Sequence, residues 1–252
     1  MDAGADLEAR TEYGWTPLML AAVNNENPEL VQALLDAGTD LAARTEYGWT
    51  PLLLAARYNT NPVVVLALLD AGADLEARTE WGSTPLMFAA LDNSNPEVVQ
   101  VLLNAGSDLE ARNEDGSTPL LLAAWNNTNH PEVAQALLNA GADLEARDEY
   151  GRTSLMLAAW NNSNPEVAQA LLDAGADVEA RTDYGRTTPL MYAAWGNENP
   201  EVLQVLLDAG ADATAKNGEG TTAWDLIQDN EALKGTKAYW RLNELRYRNA
   251  RD

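Results

Sequence analysis

The dipeptide Ala-Gly recurs at a nearly constant interval along the chain. Its glycines are Gly4, Gly38, Gly72, Gly106, Gly141, Gly175 and Gly210, each 34 or 35 residues from the next. A second marker, Thr-Pro-Leu or once Thr-Ser-Leu, keeps the same interval from Thr16 to Thr188. Self-similarity at a period of this size predicts a stacked array of repeats, because one such unit cannot bury its apolar face without neighbours.

One unit, residues 11–44, carries the signals of two helices. Thr16 is a residue type that caps helix N-termini, and Pro17 suits the first helical position, where its missing N–H is not needed. Apolar residues then recur at helical spacing until an Asn-rich stretch interrupts them. Asn27-Pro28 repeats the start signal, and Gly38 is typical of a helix end. The unit therefore predicts a short helix, a turn, a longer helix and a hairpin-like loop.

This pattern resembles the ankyrin repeat. The motifs that carry the resemblance are G-x-T-P-L-x-x-A-A, V/L-x-x-L-L and A-G-A-D-L-E-A-R, and they cover roughly residues 1–230. The resemblance implies an all-α, ankyrin-type solenoid of about six stacked helix-turn-helix repeats, with short β-hairpin loops and a C-terminal cap. It also implies a curved stack in which partners bind the concave face formed by the hairpin tips and the first helices.

We predict one ankyrin-repeat domain over residues 1–252. Its predicted parts are a partial N-terminal repeat at 1–10, repeats at 11–44, 45–78, 79–112, 113–147, 148–181 and 182–216, and a C-terminal cap at 217–252. The chain opens in the middle of a repeat, and its units are nearly identical. We interpret this as an indication of an engineered or truncated protein, although a natural interaction protein fits the same pattern.

The sequence departs from the family pattern in three ways. The histidine usual after Thr-Pro-Leu is replaced by Met19, Leu53, Met87, Leu121, Met156 and Met191, where we expect apolar packing. The Gly-His pair usual between the helices is replaced by longer, Asn-rich turns. Two single-residue insertions, at His130 and within 186–188, are predicted to be absorbed in loops.

Composition excludes several classes of function. The chain has no cysteine, so disulfides and zinc–thiolate sites are absent. Its net charge of −23 repels nucleic acid and anionic membranes. We predict no metal, no cofactor and no enzymatic activity, because the single histidine stands alone and no nucleotide-binding or hydrolase motif occurs. We expect a cytoplasmic monomer.

Charged side chains recur with the repeat. Carboxylates recur as Asp-Leu-Glu, which is typical of a solvated structural face. Arginines occupy one equivalent position in successive units, a series that Lys216 continues, and we expect them to neutralise the Asp and Glu of adjacent repeats. These arginines are Arg10, Arg44, Arg78, Arg112, Arg147 and Arg181.

Positions that vary between units are free to bind a partner, whereas invariant positions hold the stack. Aromatic residues concentrate at the variable positions, and Trp and Tyr are enriched in binding hot spots. The alternative is that these rings pack on neighbouring turns and stiffen the array. The residues predicted to form a concave binding face are Tyr13, Trp15, Tyr47, Trp49, Arg57, Tyr58, Trp81, Leu91, Asp92, Trp125, Asn126, Arg152, Trp160, Asn161, Arg186 and Trp195.

The predicted function is a non-enzymatic scaffold that binds a protein or peptide. Acidic residues beside the hairpin tips favour a basic partner: Glu12, Glu46, Glu80, Glu114, Glu149 and Asp183. The competing hypothesis is carbohydrate or small-molecule binding, or enzymatic activity, on the face that combines Trp, Asn and Asp.

Overall fold

The structure is a computed structural model that describes residues 6–24, 28–126 and 130–248. Within these ranges the regular structure consists of fourteen helices and includes no β-strand. The chain divides into two compact units, Met1–Glu114 and Asp115–Asp252. Each unit is a series of consecutive helix pairs.

The first unit contains three helix pairs. Its helices are α1 (Pro17–Asn24), α2 (Pro28–Asp36), α3 (Pro51–Tyr58), α4 (Pro62–Asp70), α5 (Pro85–Asp92) and α6 (Pro96–Asn104). The first helices α1, α3 and α5 lie side by side, and so do the second helices α2, α4 and α6. Each first helix also packs on the second helix of its own pair, so the apolar stripes of neighbouring repeats close over one another.

The second unit repeats this plan and adds a cap. Its helices are α7 (Pro119–Asn126), α8 (Pro131–Asn139), α9 (Ser154–Asn161), α10 (Pro165–Asp173), α11 (Pro189–Gly196), α12 (Pro200–Asp208), α13 (Ala223–Ile227) and α14 (Lys237–Arg248). Helix α13 packs on α11, and α14 packs on α12 and α13. Leu233, Ala238 and Leu242 belong to this cap and are buried. The cap therefore covers the apolar end of the stack.

Local signals set the bounds of the helices as the sequence predicts. Thr84 Oγ1 accepts a hydrogen bond from the Met87 backbone N–H at 3.4 Å at the start of α5. Asn95 Oδ1 accepts one from the Glu97 N–H at 3.0 Å at the start of α6. Gly106 follows α6 with φ +91°, a conformation that glycine adopts without strain. The six Met and Leu residues that replace the family histidine are all buried.

Within each unit, buried asparagines link repeats to the ones that precede them. Asn93 is 3% exposed. Its Nδ2 donates to the Ala56 carbonyl at 2.8 Å and the Asn59 carbonyl at 3.0 Å, while its Oδ1 accepts from the Asn95 N–H at 2.8 Å. Asn197 is bonded in the same way in the second unit. These amides satisfy carbonyls that a helix end leaves without an intrahelical partner. We call this set the asparagine ladder.

The asparagine ladder runs into the cap. Asn230 Nδ2 donates to the Ala194 carbonyl at 3.2 Å and to the Asn197 carbonyl at 2.9 Å. The cap therefore covers apolar surface and also supplies a hydrogen-bond donor to a carbonyl at the end of α11. The Asn-rich turns, which depart from the family pattern, thus carry a connection of their own between repeats.

Four of the recurring arginines bond to backbone carbonyls and form no ion pair within the described residues, so the prediction that they neutralise carboxylates was wrong for Arg10, Arg44, Arg78 and Arg181. Arg44 Nη1 donates to the Gly48 carbonyl at 3.2 Å and to the Arg78 carbonyl at 2.8 Å. Arg10, Arg78, Arg147 and Arg181 make the equivalent pair of bonds to carbonyls. The physical reason is that the loops form no strand over the described residues, so their carbonyls need a donor and the guanidinium reaches two of them.

The Asp-Leu-Glu carboxylates likewise bond to backbone. Asp74 Oδ1 accepts from the Glu76 N–H at 3.1 Å within its own turn. Glu76 Oε1 accepts from the Asp108 N–H of the next repeat at 2.9 Å. The carboxylates and the arginines therefore satisfy backbone groups of opposite type, and both join consecutive repeats.

The two insertions leave the helices unchanged. His130 lies directly before α8, and Arg186 lies in the loop before α11. Helix α8 keeps nine residues and α11 keeps eight, like the other second and first helices. Arg186 has φ +51°, the one positive value of a non-glycine residue in the described part of the chain. The prediction that loops absorb the insertions is confirmed.

Replacing Asn93 by Ala should lower the free energy of unfolding by about 2–3 kcal/mol, because two buried carbonyls lose their donor. Chemical denaturation followed by circular dichroism at the helix band measures the change. Asn104→Ala is the matched control, since Asn104 is exposed at the end of α6 and should change stability by no more than about 0.5 kcal/mol. Equal effects of the two variants would contradict a stabilising role for the ladder.

Candidate functional site

Each unit carries a cleft between its loops and its first helices. The first-unit cleft has a volume of about 430 Å³ and is lined by Glu12, Tyr13, Trp15, Thr45, Glu46, Tyr47, Trp49, Leu54, Arg57, Tyr58 and Trp81. The second-unit cleft has a volume of about 670 Å³ and is lined by Asp115, Ser117, Leu121, Leu122, Trp125, Tyr150, Arg152, Leu157, Trp160, Tyr192 and Trp195. Aromatic rings contribute much of both linings.

Stacked tryptophans form the wall of the second-unit cleft. They come from the same position near the C-terminal ends of α7, α9 and α11, so the repeat brings their rings together. The Trp160 ring centroid is 4.9 Å from that of Trp125, edge to face, and 5.3 Å from that of Trp195, nearly parallel. Tyr192 lies 5.5 Å from Trp160 on the same side of the unit. Trp195 is 54% exposed, so it remains available to a ligand.

A glycine makes room for this stack. Gly196 is the last residue of α11, and a Cβ there would lie 2.5 Å from Cδ1 and 2.6 Å from Nε1 of Trp160. The equivalent residues of the two preceding repeats are Asn126 and Asn161. Gly196 is therefore explained by its close approach to a ring that neighbouring aromatic side chains hold in place, and not by an unusual backbone conformation.

Arg152 lies across the second-unit cleft. Its Nε is 2.6 Å from Oδ2 of Asp148, whose side chain is fully buried. Oδ1 of the same carboxylate accepts from the N–H groups of Tyr150 and Arg152 at 2.9 Å. The guanidinium carbon lies 4.6 Å from the Tyr150 ring centroid and 5.5 Å from that of Trp160, within cation–π range. Ion pair and rings together fix the orientation of the guanidinium.

Tyr192 contributes a hydroxyl to the second-unit cleft. Burial raises the pKa of the Tyr192 phenol above its ordinary value, the positive charge of Arg152 lowers it, and the negative charge of Asp148 raises it. Tyr192 therefore stays protonated at neutral pH and can act as a hydrogen-bond donor.

The first-unit cleft has a related arrangement. The Arg57 guanidinium carbon lies 5.0 Å from the Tyr58 ring centroid, 5.3 Å from that of Phe88 and 5.5 Å from that of Trp49. Its Nε lies 2.8 Å from Oδ2 of Asp92. An arginine held by an aspartate and surrounded by rings is thus present in both clefts.

Two ring pairs complete the aromatic lining of the first unit. Tyr47 and Trp81 stack with their centroids 5.8 Å apart and their planes 15° from parallel. Trp49 packs on Phe88 at 4.5 Å. The outer rings stay accessible, since Trp81 is 48% exposed.

The structure brings together most of the residues that the sequence predicts to bind a partner. The first-unit cleft gathers Tyr13, Trp15, Tyr47, Trp49, Arg57, Tyr58 and Trp81. The second-unit cleft gathers Trp125, Arg152, Trp160 and Trp195. The structure places Leu91, Asp92, Asn126, Asn161 and Arg186 outside both linings.

Some of these outer residues have a visible role. Asp92 holds Arg57 through the ion pair described above. Asn161 Nδ2 donates to the Trp125 carbonyl at 3.2 Å, which ties the ends of two first helices together. Arg186 is exposed on the lengthened loop, and the inserted residue removes it from the position that Arg152 occupies one repeat earlier.

Sequence reasoning missed two aromatic residues, Phe88 and Tyr192. Both occupy the fourth position of a first helix, where the other repeats have Leu20, Leu54, Leu122 and Leu157. The change from Leu to an aromatic residue was the signal that could have identified them. They support Trp49 and Trp160 respectively.

Among residues 6–24, 28–126 and 130–248, no group of three or more His, Asp or Glu side chains is placed to hold a metal ion. None of the helices described is long and apolar enough to cross a membrane.

Comparisons with known proteins identify ankyrin repeats along most of the chain. A family model for ankyrin repeats matches residues 1–79, 61–148, 86–182 and 145–217. The crystal structure of the ankyrin repeat domain of Bcl-3, a member of the IκB protein family, is similar at 33% identity and a TM-score of 0.67, covering 88% of this chain and 98% of that one.

The human ASB11 ankyrin repeat domain is similar at 26% identity and a TM-score of 0.78, covering 91% of this chain and 97% of that one. No curated protein sequence matches the chain.

Gly196→Ala should destabilise the protein by about 1–2 kcal/mol, because the added methyl group forces the Trp160 ring out of its stack. In a Trp160→Leu background, which opens the space, the same change should stabilise by about 0.5 kcal/mol, since alanine is the better helix former. Chemical denaturation of the four proteins measures the coupling. An unchanged cost of Gly196→Ala in both backgrounds would show that the contact with Trp160 is not its cause.

Proposed function

Because the chain belongs to the ankyrin repeat family, we propose that it is a non-enzymatic scaffold that binds a protein partner through its aromatic clefts. Ankyrin repeat domains are in general scaffolds for protein–protein interaction. The observation that carries the proposal is the set of stacked, partly exposed rings in each cleft, above all Trp160 and Trp195 in the second unit.

Preorganised rings favour binding because they lose little conformational freedom when a partner arrives. Trp195 stacks on Trp160, and Trp81 stacks on Tyr47. Both Trp195 and Trp81 still expose about half of their surface. Burial of such a ring by a partner typically dominates the energy of an interface.

The loops that carry these rings are held by bonds between repeats. Glu80 N donates to the Tyr47 carbonyl at 3.2 Å, and Glu114 N donates to the Trp81 carbonyl at 3.0 Å. In the second unit, Glu149 N donates to the Asp115 carbonyl at 3.1 Å. A site on supported loops keeps its geometry without a ligand, which suits a binding scaffold.

The acidic surroundings favour a partner with basic groups at its periphery. Glu12 and Glu46 line the first-unit cleft, and the whole chain has a net charge of −23. A field of this sign accelerates the approach of a cationic surface. The monomeric state and the cytoplasmic location stay predictions from the sequence.

Carbohydrate binding is the weaker candidate. A sugar ring stacks on an open aromatic face, but Trp160 is bounded by Trp125, Tyr192 and Trp195 and faces Arg152 at 5.5 Å. The ring at the centre of the second-unit cleft is therefore already engaged. The outer rings, with their apolar neighbours, fit the side chains of a protein segment better.

A Trp81→Ala, Trp195→Ala double variant should lose the partner. Unbiased affinity capture with the full chain supplies candidate partners, and their dissociation constants should rise at least thirtyfold in the variant, from about 2 kcal/mol of lost hot-spot energy. Trp240→Ala is the matched control, because Trp240 is 55% exposed on α14 and lines neither cleft. A glycan array is screened in parallel with the same three proteins.

Two outcomes would contradict the proposal. Partners that bind the double variant and the Trp240→Ala control equally well would place the interaction outside the clefts. Saturable glycan binding that the double variant loses, without a protein partner that behaves in this way, would establish the carbohydrate hypothesis instead.

A further inference from the structure

Each cleft of this strongly acidic chain holds one basic side chain. Arg152 is the basic residue in the lining of the second-unit cleft, and Arg57 is the basic residue in that of the first. The carboxylates in the linings, Glu12, Glu46 and Asp115, lie on the exposed loops. The two arginine side chains are more enclosed, at 19% and 30% exposure. The acidic loops attract basic groups of a ligand, whereas the enclosed arginine attracts an acidic group.

One edge of the Arg152 guanidinium is bonded to Asp148, and the side chain lines the second-unit cleft. Its Nε is bound to Asp148 at 2.6 Å, and its plane lies over Tyr150 and Trp160. Among the described residues, its two terminal nitrogens donate no hydrogen bond. The side chain therefore presents a fork of N–H donors whose orientation is fixed before any ligand binds.

An occupant that covers the surrounding rings also removes water from this fork. Donors that lose water without gaining an acceptor cost free energy, so a purely apolar occupant is disfavoured. A lysine or arginine of the partner is repelled by the like charge. A carboxylate matches the planar fork and forms charge-assisted hydrogen bonds with it. Tyr192 supplies a further O–H donor in the same lining.

Arg57 has similar surroundings at another place in the repeat, although its Nε forms an ion pair without a hydrogen bond. It lies near the end of the first helix α3, whereas Arg152 lies on the loop before α9. Its Nε lies beside Asp92 at 2.8 Å, three rings surround it, and its terminal nitrogens donate no hydrogen bond within the described ranges. Because the two positions differ, copying of the repeat does not explain the likeness.

We infer that the arginine of each cleft binds the carboxylate of an Asp or Glu side chain in an extended segment of the partner protein, while the rings hold an apolar side chain next to it. The inference rests on the proposed function and specifies its ligand. Basic residues that flank this acidic residue would face the exposed carboxylates of the loops, as in the first unit with Glu12 and Glu46, which reconciles an acidic anchor with a basic periphery.

A phage-displayed library of random linear peptides, joined to the phage by their C-termini, tests this on the full chain. We expect peptides selected by the wild type to be enriched in Asp or Glu next to an aromatic or branched aliphatic residue. The Arg57→Gln, Arg152→Gln double variant should select peptides without that enrichment. Arg186→Gln is the control, since Arg186 is exposed outside both clefts, and it should behave as the wild type does.

A second measurement compares two peptides on the wild type and therefore does not depend on how well the variants fold. A selected peptide is synthesised with its Glu or Asp and with the isosteric Gln or Asn. The neutral peptide should bind the wild type about tenfold to a hundredfold more weakly, as expected for loss of one desolvated charge pair. Arg152→Lys, which keeps the charge but not the fork, should lie between the wild type and Arg152→Gln for a peptide bound in the second-unit cleft.

The outcomes separate the inference from the function on which it rests. Selected peptides that the Trp81→Ala, Trp195→Ala variant loses, but that carry no acidic enrichment or tolerate Glu→Gln, would overturn the inference and leave the scaffold proposal standing. Failure to select any peptide, or selection of peptides that this variant retains, would overturn both.

Discussion

Helix ends govern this architecture. The first helices have eight residues and the second helices nine, well below the ~12–15 residues at which an isolated helix becomes marginally stable. In so short a helix, many backbone N–H and C=O groups have no partner within the helix and must bond to other groups. Neighbouring repeats supply some of these groups, since Asn93 donates to the Ala56 carbonyl at 2.8 Å near the end of α3. Carbonyls of the loops are satisfied across repeats as well, since Arg78 donates to the Arg112 carbonyl at 2.8 Å. Cooperation between repeats is therefore polar as well as apolar.

The positions that do not join repeats form the proposed binding surface. Recurring Asn, Arg and Glu residues join neighbouring repeats within each unit, which leaves other loop and helix-end positions free to vary. Rings at those positions stack across repeats, as Trp160 does on Trp195 at 5.3 Å. Each cleft then contains one arginine whose guanidinium forms an ion pair with an aspartate. This acidic chain thus places one positive charge among the aromatic rings of each cleft. The combination of a charge and apolar rings gives selectivity as well as affinity.

Several features of the fold and site could be predicted because they depend on local chemistry. Thr-Pro and Asn-Pro mark helix starts, Ala-Gly marks helix ends, and periodic apolar residues identify the core. The partners of the recurring arginines could not be predicted, because carboxylates and carbonyls recur at the same interval. For the same reason the asparagines were identified as helix terminators, while their buried bonds across repeats were missed. Tyr192 was missed because its position is Leu in most other repeats and lies in a helix whose apolar residues predict a place in the core.

The sequence by itself determined the repeat, the order and bounds of its helices and the positions that are free to vary, since a period and a cap are properties of residues close along the chain. Only the tertiary structure decided which of those positions meet. Trp160 and Trp195 belong to different repeats, and their stacking requires that Gly196 have no Cβ. Likewise, Arg57 and Arg152 occupy different places in the repeat and still reach the same surroundings. Such relations depend on distances through space, which spacing along the chain does not specify.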